Sequence, residues 1–279
     1  MGPRRETPAL LCLSPLRWER GPHRPHHLMS RCARERRVFF VEEPLFHHGA
    51  AELEVAEVER SLHRVVPKLP HGAPARDLNL HLERMMDALL VTSELTKYEL
   101  WYCAPPPLSF TRHLAPQLVV YDVSADAPGL ELPELERELL TRSDVVFTGS
   151  ERLYQAKRLL HGAVHAFPSS VDIKLFARAR LPRPDPADQA AIPHPRLGYA
   201  GPLDERVDFE LLERLAALEP QWHLVMAGAT RDAARLPRRP NLHWLGDKPR
   251  TELPDYLAGW DVALLPFARD LVDPTAAAE

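Results

Sequence analysis

An α/β protein made of two successive doubly wound halves is what this sequence predicts, and three observations predict it. Short apolar runs alternate with amphipathic helical patterns along most of the 279 residues. The alternation collapses once, in the proline-rich stretch ARARLPRPDPADQAAIPHP at 177–195, and then restarts. Strands separated by helices imply βαβ units, hence parallel sheets covered on both faces. Proline continues neither a helix nor a central strand, so the domain boundary is expected in that stretch. The expected organisation is a Rossmann-like domain over 1–176, a proline-rich linker over 177–195 and a smaller Rossmann-like domain over 196–279. A cleft between two such domains is where ligands are expected.

The elements follow in order. ALLCL (9–13) reads as a first buried strand, and a helix is expected near 25–36, with Pro25 at its start and Leu28, Met29, Cys32 and Ala33 on one face. VFFVEE (38–43) is a second strand, followed by a polar, partly alternating segment. Leu78, Leu82, Met85 and Leu89 keep helical spacing. Then come YELWYC, a short helix near 108–114, QLVVYDV, the helix LPELERELLTRS, DVVFTGS, the helix ERLYQAKRLL and AVHAFPSS. Ser150 stands as the N-cap of that last helix, with acid in its first turn. Beyond the linker, RLGYAG, a helix at 208–218, WHLVMAGA, NLHWLG, the helix TELPDYLAGW and DVALLPF form the second series.

Bulk properties exclude several functions. Net charge is −4, so no global field favours nucleic acid. The three cysteines, Cys12, Cys32 and Cys103, are far apart, which suits a reducing cytosol and neither a disulfide framework nor a CxxC site. No apolar run approaches the ~18–20 residues that span a bilayer. Arg4 and Arg5 before ALLCLSPL resemble a signal peptide superficially, but Pro15 interrupts the run and no small-x-small cleavage site follows. A cytoplasmic protein is expected.

Among fourteen histidines, HRPHH (23–27) and His47–His48 have neither H-x3-H spacing nor a nearby cysteine pair, so no metal site is expected. There is no G-x-S-x-G elbow for a serine hydrolase. The turn RLGYAGPLDERVDFELL is a strand–glycine–helix unit that can place backbone N–H groups around a phosphate, although a plain tight turn gives the same pattern. Arg206 beside it suits a diphosphate; the competing reading pairs it with its neighbours Asp204 and Glu205. The loop YDVSADAPG (121–129) leaves a strand end with Asp122 and Asp126. Either suits accepting a proton or holding a sugar hydroxyl, and equally one suits capping the following helix.

Taken together, RSDVVFTGSERLYQAKR, VHAFPSSVDIKLF, PHPRLGYAGPLDERVDFELL, WHLVMAGA and NLHWLGDKPRTELPDYLAGWDVALLPF resemble group 1 glycosyltransferases of the GT-B fold, in one bacterial subgroup, and RPHHLMSRCARERRVFFVEEP resembles its first βαβ. The resemblance runs over essentially the whole chain. It implies a metal-independent, hexosyltransferase-like enzyme that moves a sugar from a nucleotide-diphosphate sugar to a glycan or lipid-linked acceptor of the cell envelope. No cofactor beyond the donor is implied, and a peripheral membrane contact is allowed. Residue by residue, Gly201 and Arg206 would approach the diphosphate, HWLG with Trp244 and Gly246 would line the nucleobase side, and the loop of Asp122 and Asp126 would face the acceptor.

The departures from the family pattern are specific. Val123, Ser124 and Ala125 replace the usual middle of the acceptor-side loop, where an acid is expected at Ala125. Relatives carry S-P-T-K-T-x-E after the last strand, whereas this chain reads DPTAAAE. That places Ala276 where a diphosphate-binding lysine is expected and Glu279 where the ribose glutamate is expected. The expectation is therefore an incomplete second domain, loosely held, or a donor site that has diverged. Two rivals remain: a non-catalytic GT-B-fold binding protein that has lost the donor clamp, and a sugar-nucleotide epimerase, disfavoured for want of placeable acid/base pairs.

Overall fold

The computed structural model describes residues 7–20, 23–72, 74–123, 133–168, 170–230 and 232–268. The chain divides into two compact units, 1–169 and 170–279. The division falls ahead of the proline-rich stretch, which packs within the second unit.

In the first unit, β1 (Ala9–Leu13) leads to α1 (Arg24–Cys32) and β2 (Val38–Val41). Next come β3 (Leu45–His47), β4 (Glu52–Glu59), β5 (Leu62–Pro70) and α2 (Ala75–Thr92). The unit continues through β6 (Tyr98–Tyr102), α3 (Leu108–Thr111), β7 (Val119–Val123) and α4 (Glu134–Arg142). It ends with β8 (Val145–Thr148), α5 (Glu151–Lys157) and β9 (Val164–Ala166). The sheet runs β3-β5-β2-β1-β6-β7-β8-β9, with β4 on β5. Every residue of β1 and β2 is buried, as central strands covered on both faces must be. Alternation divides their side chains between two cores. Leu11, Leu13, Phe39 and Val41 join the cluster that includes Met86 and Leu89 of α2, while Leu10, Cys12, Val38 and Phe40 pack on Met29 of α1.

The polar alternating segment departs from an all-parallel sheet. β4 pairs antiparallel with β5, from Glu52 opposite Lys68 to Glu59 opposite Leu62. Its glutamates explain why an edge strand tolerates solvent: Glu52 and Glu54 both bind Lys68, and Glu54 also binds Arg64.

The second unit contains α6 (Ile173–Phe176), β10 (Arg196–Ala200), α7 (Phe209–Leu218), β11 (His223–Ala227), β12 (Leu242–Gly246), α8 (Leu253–Ala258) and β13 (Val262–Ala263). Its four described strands are parallel, in the order β12-β11-β10-β13. One face packs on α7 through Tyr199, Leu212, Ala216, Leu224 and Met226. On the other face, a Cβ added to Gly198 would lie 1.8 Å from the Trp260 ring, so only glycine admits that ring against the strand.

The same face holds the stretch expected to be a linker. Fully buried Gln189 accepts a hydrogen bond from Trp260 Nε1 (2.9 Å) and donates to the Tyr256 carbonyl (3.1 Å). Arg196, also buried, donates to Asp185 (2.7 Å) and to the Ile192 carbonyl (2.7 Å). Asp185, Gln189 and Arg196 thus tie this stretch into the second unit.

Candidate functional site

In both sheets the strand order turns at the first strand, β1 in the first unit and β10 in the second. In the second unit the reversal lies between β10 and β13, and in α/β sheets the crevice outside such carboxyl ends is where ligands bind. The loop leaving β10 is fixed to its neighbours by backbone bonds. Gly201 N–H donates to Ala227 O (3.0 Å), Leu203 N–H to Ala229 O (2.9 Å) and Gly228 N–H to Gly246 O (2.8 Å). A Cβ on Gly228 would lie 1.8 Å from the Gly201 carbonyl oxygen, so these two strand ends meet backbone to backbone. Gly246, at φ +73°, closes β12 in the left-handed region that glycine favours.

Across the reversal, the β10 loop is also bound to the segment that follows β13. Val207 forms an antiparallel bridge with Phe267. Asp208 N–H donates to Pro266 O (2.8 Å), and Ala268 N–H to Arg206 O (2.9 Å). Tyr199 Oη donates to Pro202 O (3.0 Å), and burial pushes its phenol up to about 12, so it acts as a fixed donor at neutral pH.

Arg206 therefore sits on a braced loop, half exposed, with its Nε and Nη2 on the Asp204 carboxylate at 2.9 and 2.8 Å. The neighbour-pairing alternative is thus observed for Asp204. It also presets the guanidinium, since an exposed pair of this kind is weak and readily exchanged for another anion. The first turn of α7 is satisfied internally: Asp208 accepts from Leu211 N–H (2.8 Å).

Of the other residues singled out in the sequence, Gly201 and Gly246 flank Gly228 at three adjacent strand ends. Trp244 lies two residues back, edge-on to Phe209 of α7, with Nε1 donating to Pro237 O (3.0 Å). Asp126 and Glu279 lie outside the described residues.

Asp122 ends near the carboxyl edge of the first sheet, 2% exposed, in an ion pair with Arg24, which is 8% exposed. Arg24 Nε donates to both carboxylate oxygens (3.2 and 3.1 Å) and Nη2 to Oδ1 (2.9 Å). The same guanidinium lies over the Phe167 ring, 4.7 Å from its centroid, and donates to the Phe167 carbonyl. Arg24 is the residue that sequence reasoning missed. It was hidden inside a histidine-rich run, and its partner is 98 positions away.

The histidines themselves go elsewhere. His26 packs against Trp18 and Phe40, and desolvation lowers its pKa. His47 lies against the Ala50 carbonyl, and the His48 ring packs tilted against His71. No group of three or more His, Cys, Asp or Glu among the described residues is placed to hold a metal ion. No helix among them is long and apolar enough to cross a membrane.

No family model matches the chain. Over 143 residues it is 27% identical to a Bacillus subtilis (strain 168) protein provisionally named as the teichuronic acid biosynthesis glycosyltransferase TuaH. That match covers 47% of this chain and 35% of the relative, so the chain aligns with about a third of the relative's length. Among solved structures, the sucrose-phosphate synthase of Thermosynechococcus elongatus superposes with a TM-score of 0.63 at 16% identity, covering 95% of this chain and 78% of that one. An E. coli trehalose-6-phosphate structure bound with UDP-2-fluoro glucose gives 0.62 at 11% identity, covering 91% and 77%. The chain has the α/β GT-B fold of these glycosyltransferases, and its sequence is similar to that of a bacterial glycosyltransferase.

Proposed function

We propose that this chain transfers a sugar from a nucleotide-diphosphate sugar to an acceptor hydroxyl, in the cytoplasm, with the second unit binding the donor. The observation that carries the reading is the braced loop 201–208, which sets a half-exposed arginine at the strand-order reversal of a parallel sheet. Likeness to a glycosyltransferase in sequence supports it.

In the reaction, the bond between the anomeric carbon and the diphosphate breaks, and negative charge grows on the leaving diphosphate. Arg206, released from Asp204, offsets that charge by a bidentate contact, without a metal. Gly201 and Gly228 let the phosphates approach the backbone closely, and Trp244 and Gly246 define the nucleobase side. In the first unit, Asp126 is assigned to the acceptor hydroxyl. Asp122, locked to Arg24, positions the strand end from which that loop leaves. The acceptor we propose is a cell-envelope glycan or lipid-linked glycan, in keeping with the teichuronic acid biosynthesis named for the relative.

Binding of nucleoside diphosphate is expected to be weak, because Ala276 stands where a lysine is expected. Arg206→Ala should weaken it further by about 1.5–3 kcal/mol, as for loss of a charged hydrogen bond. Competition calorimetry with UDP measures this, and equal affinity in the two proteins would overturn the assignment. A second reading, a binding protein without turnover, is favoured by that same Ala276. Nucleotide binding with no release of sugar from any donor would establish it.

A further inference from the structure

Cys12 lies on β1, and Cys103 immediately follows β6, the adjacent parallel strand. Cys103 N–H donates to the Leu13 carbonyl (3.0 Å), which fixes its backbone beside that of β1. The two sulfurs are 3.7 Å apart, in the cluster beneath α1 with Leu10, Met29 and Phe40. All three cysteines are free thiols. Cys12 is fully buried, Cys103 is 8% exposed, and Cys32 lies at the margin of the same cluster. β1 and β6 are also the strands between which the first sheet reverses its order.

We propose that Cys12 and Cys103 form a reversible oxidation site, closed to a disulfide by hydroperoxides, which fastens the exits of β1 and β6 to each other. Cys103 reacts first because it retains contact with solvent, whereas burial pushes the Cys12 thiol up and keeps it protonated. The Cys103 thiolate takes the terminal oxygen of the peroxide. The O–O bond breaks, the peroxide leaves as an alcohol or water, and a sulfenic acid remains. The Cys12 thiol then attacks that sulfur and gives its proton to the departing hydroxide, which leaves as water. In sum, two thiols and one hydroperoxide give one disulfide, one alcohol and one water. A disulfide sets its sulfurs about 2.05 Å apart, so the pair must close by about 1.7 Å. The sulfurs already meet in a thiol–thiol hydrogen bond.

The test does not depend on the transferase reading. The native chain is treated with hydrogen peroxide, its remaining thiols are alkylated under denaturing conditions, and its intact mass and peptides are measured. The expected result is loss of two hydrogens per chain, a joined peptide pair carrying Cys12 and Cys103, and Cys32 still alkylated. Dithiothreitol should restore all three thiols. Cys32→Ser should give the same product, and Cys103→Ser should give none. A disulfide through Cys32, a covalent dimer, a sulfinic acid at Cys103 with Cys12 still free, or no oxidation at all would each overturn the proposal.

Discussion

The two units place a similar turn in strand order around different chemistry. In the first, β1 sits between β2 and β6, and in the second, β10 sits between β11 and β13, so both carry a reversal at their carboxyl ends. In the first unit, the ends beside the reversal are filled by buried side chains: the Arg24–Asp122 pair and the two adjacent thiols. In the second, the corresponding ends are backbone, with Gly201 against Gly228 and Gly228 bonded to Gly246. Topology provides a crevice in each case. The residue types at the strand ends decide whether side chains or backbone groups pack there.

The sharpest way to break this comparison is to remove the filling of the first unit. Asp122→Ala leaves the Arg24 guanidinium buried without its bidentate partner. Breaking a buried pair from one side costs about 3–5 kcal/mol. Denaturant titration followed by hydrogen exchange should place that loss within residues 7–168 and leave 196–268 protected as before. A loss of turnover with stability unchanged would instead mark Asp122 as reacting with the acceptor.

The second unit is tested by filling what is open. Gly198→Ala drives a methyl group into the Trp260 ring, and overpacking of this kind costs about 1–3 kcal/mol. Thermal unfolding should show the loss in the second unit alone, together with quenching changes at Trp260. An alanine tolerated without cost would mean that the tryptophan packs elsewhere.

The smallest expected effect is acid sensitivity of the second unit. The Arg196 guanidinium beside Asp185 holds its carboxyl below the usual range, and the Arg196 N–H followed by His194 does the same for Asp261. Because these values are lower in the folded chain, the unfolded chain takes up the protons first as pH falls through ~4. The stabilisation is complete above that value and disappears as pH falls through the lower, folded one. Asp261→Asn should flatten the acid limb of the second unit's unfolding curve and leave that of the first unit unchanged.

Much of the strand and helix order was legible because period and punctuation are local: Pro25 opens α1, Ser150 caps α5, and β1 and β2 are apolar throughout. The antiparallel pairing of β4 was less so. Glu-Val alternation signals a half-exposed strand but not which neighbour it takes. Of the candidate site, Gly201 and Arg206 could be read from a short turn, whereas Gly228 was not singled out. Arg24 with Asp122, and Cys12 with Cys103, could not, since 98 and 91 positions separate partners that only the folded sheet brings together.

The proline-rich stretch also sets where this molecule can be cut. A fragment starting at the first strand of the second series, Arg196, would look reasonable from composition alone. It would lack Asp185 and Gln189, leaving a buried guanidinium and the indole N–H of Trp260 without their acceptors. A separately expressed second half should therefore begin ahead of Asp185, and its folding will depend on keeping those ten or so residues.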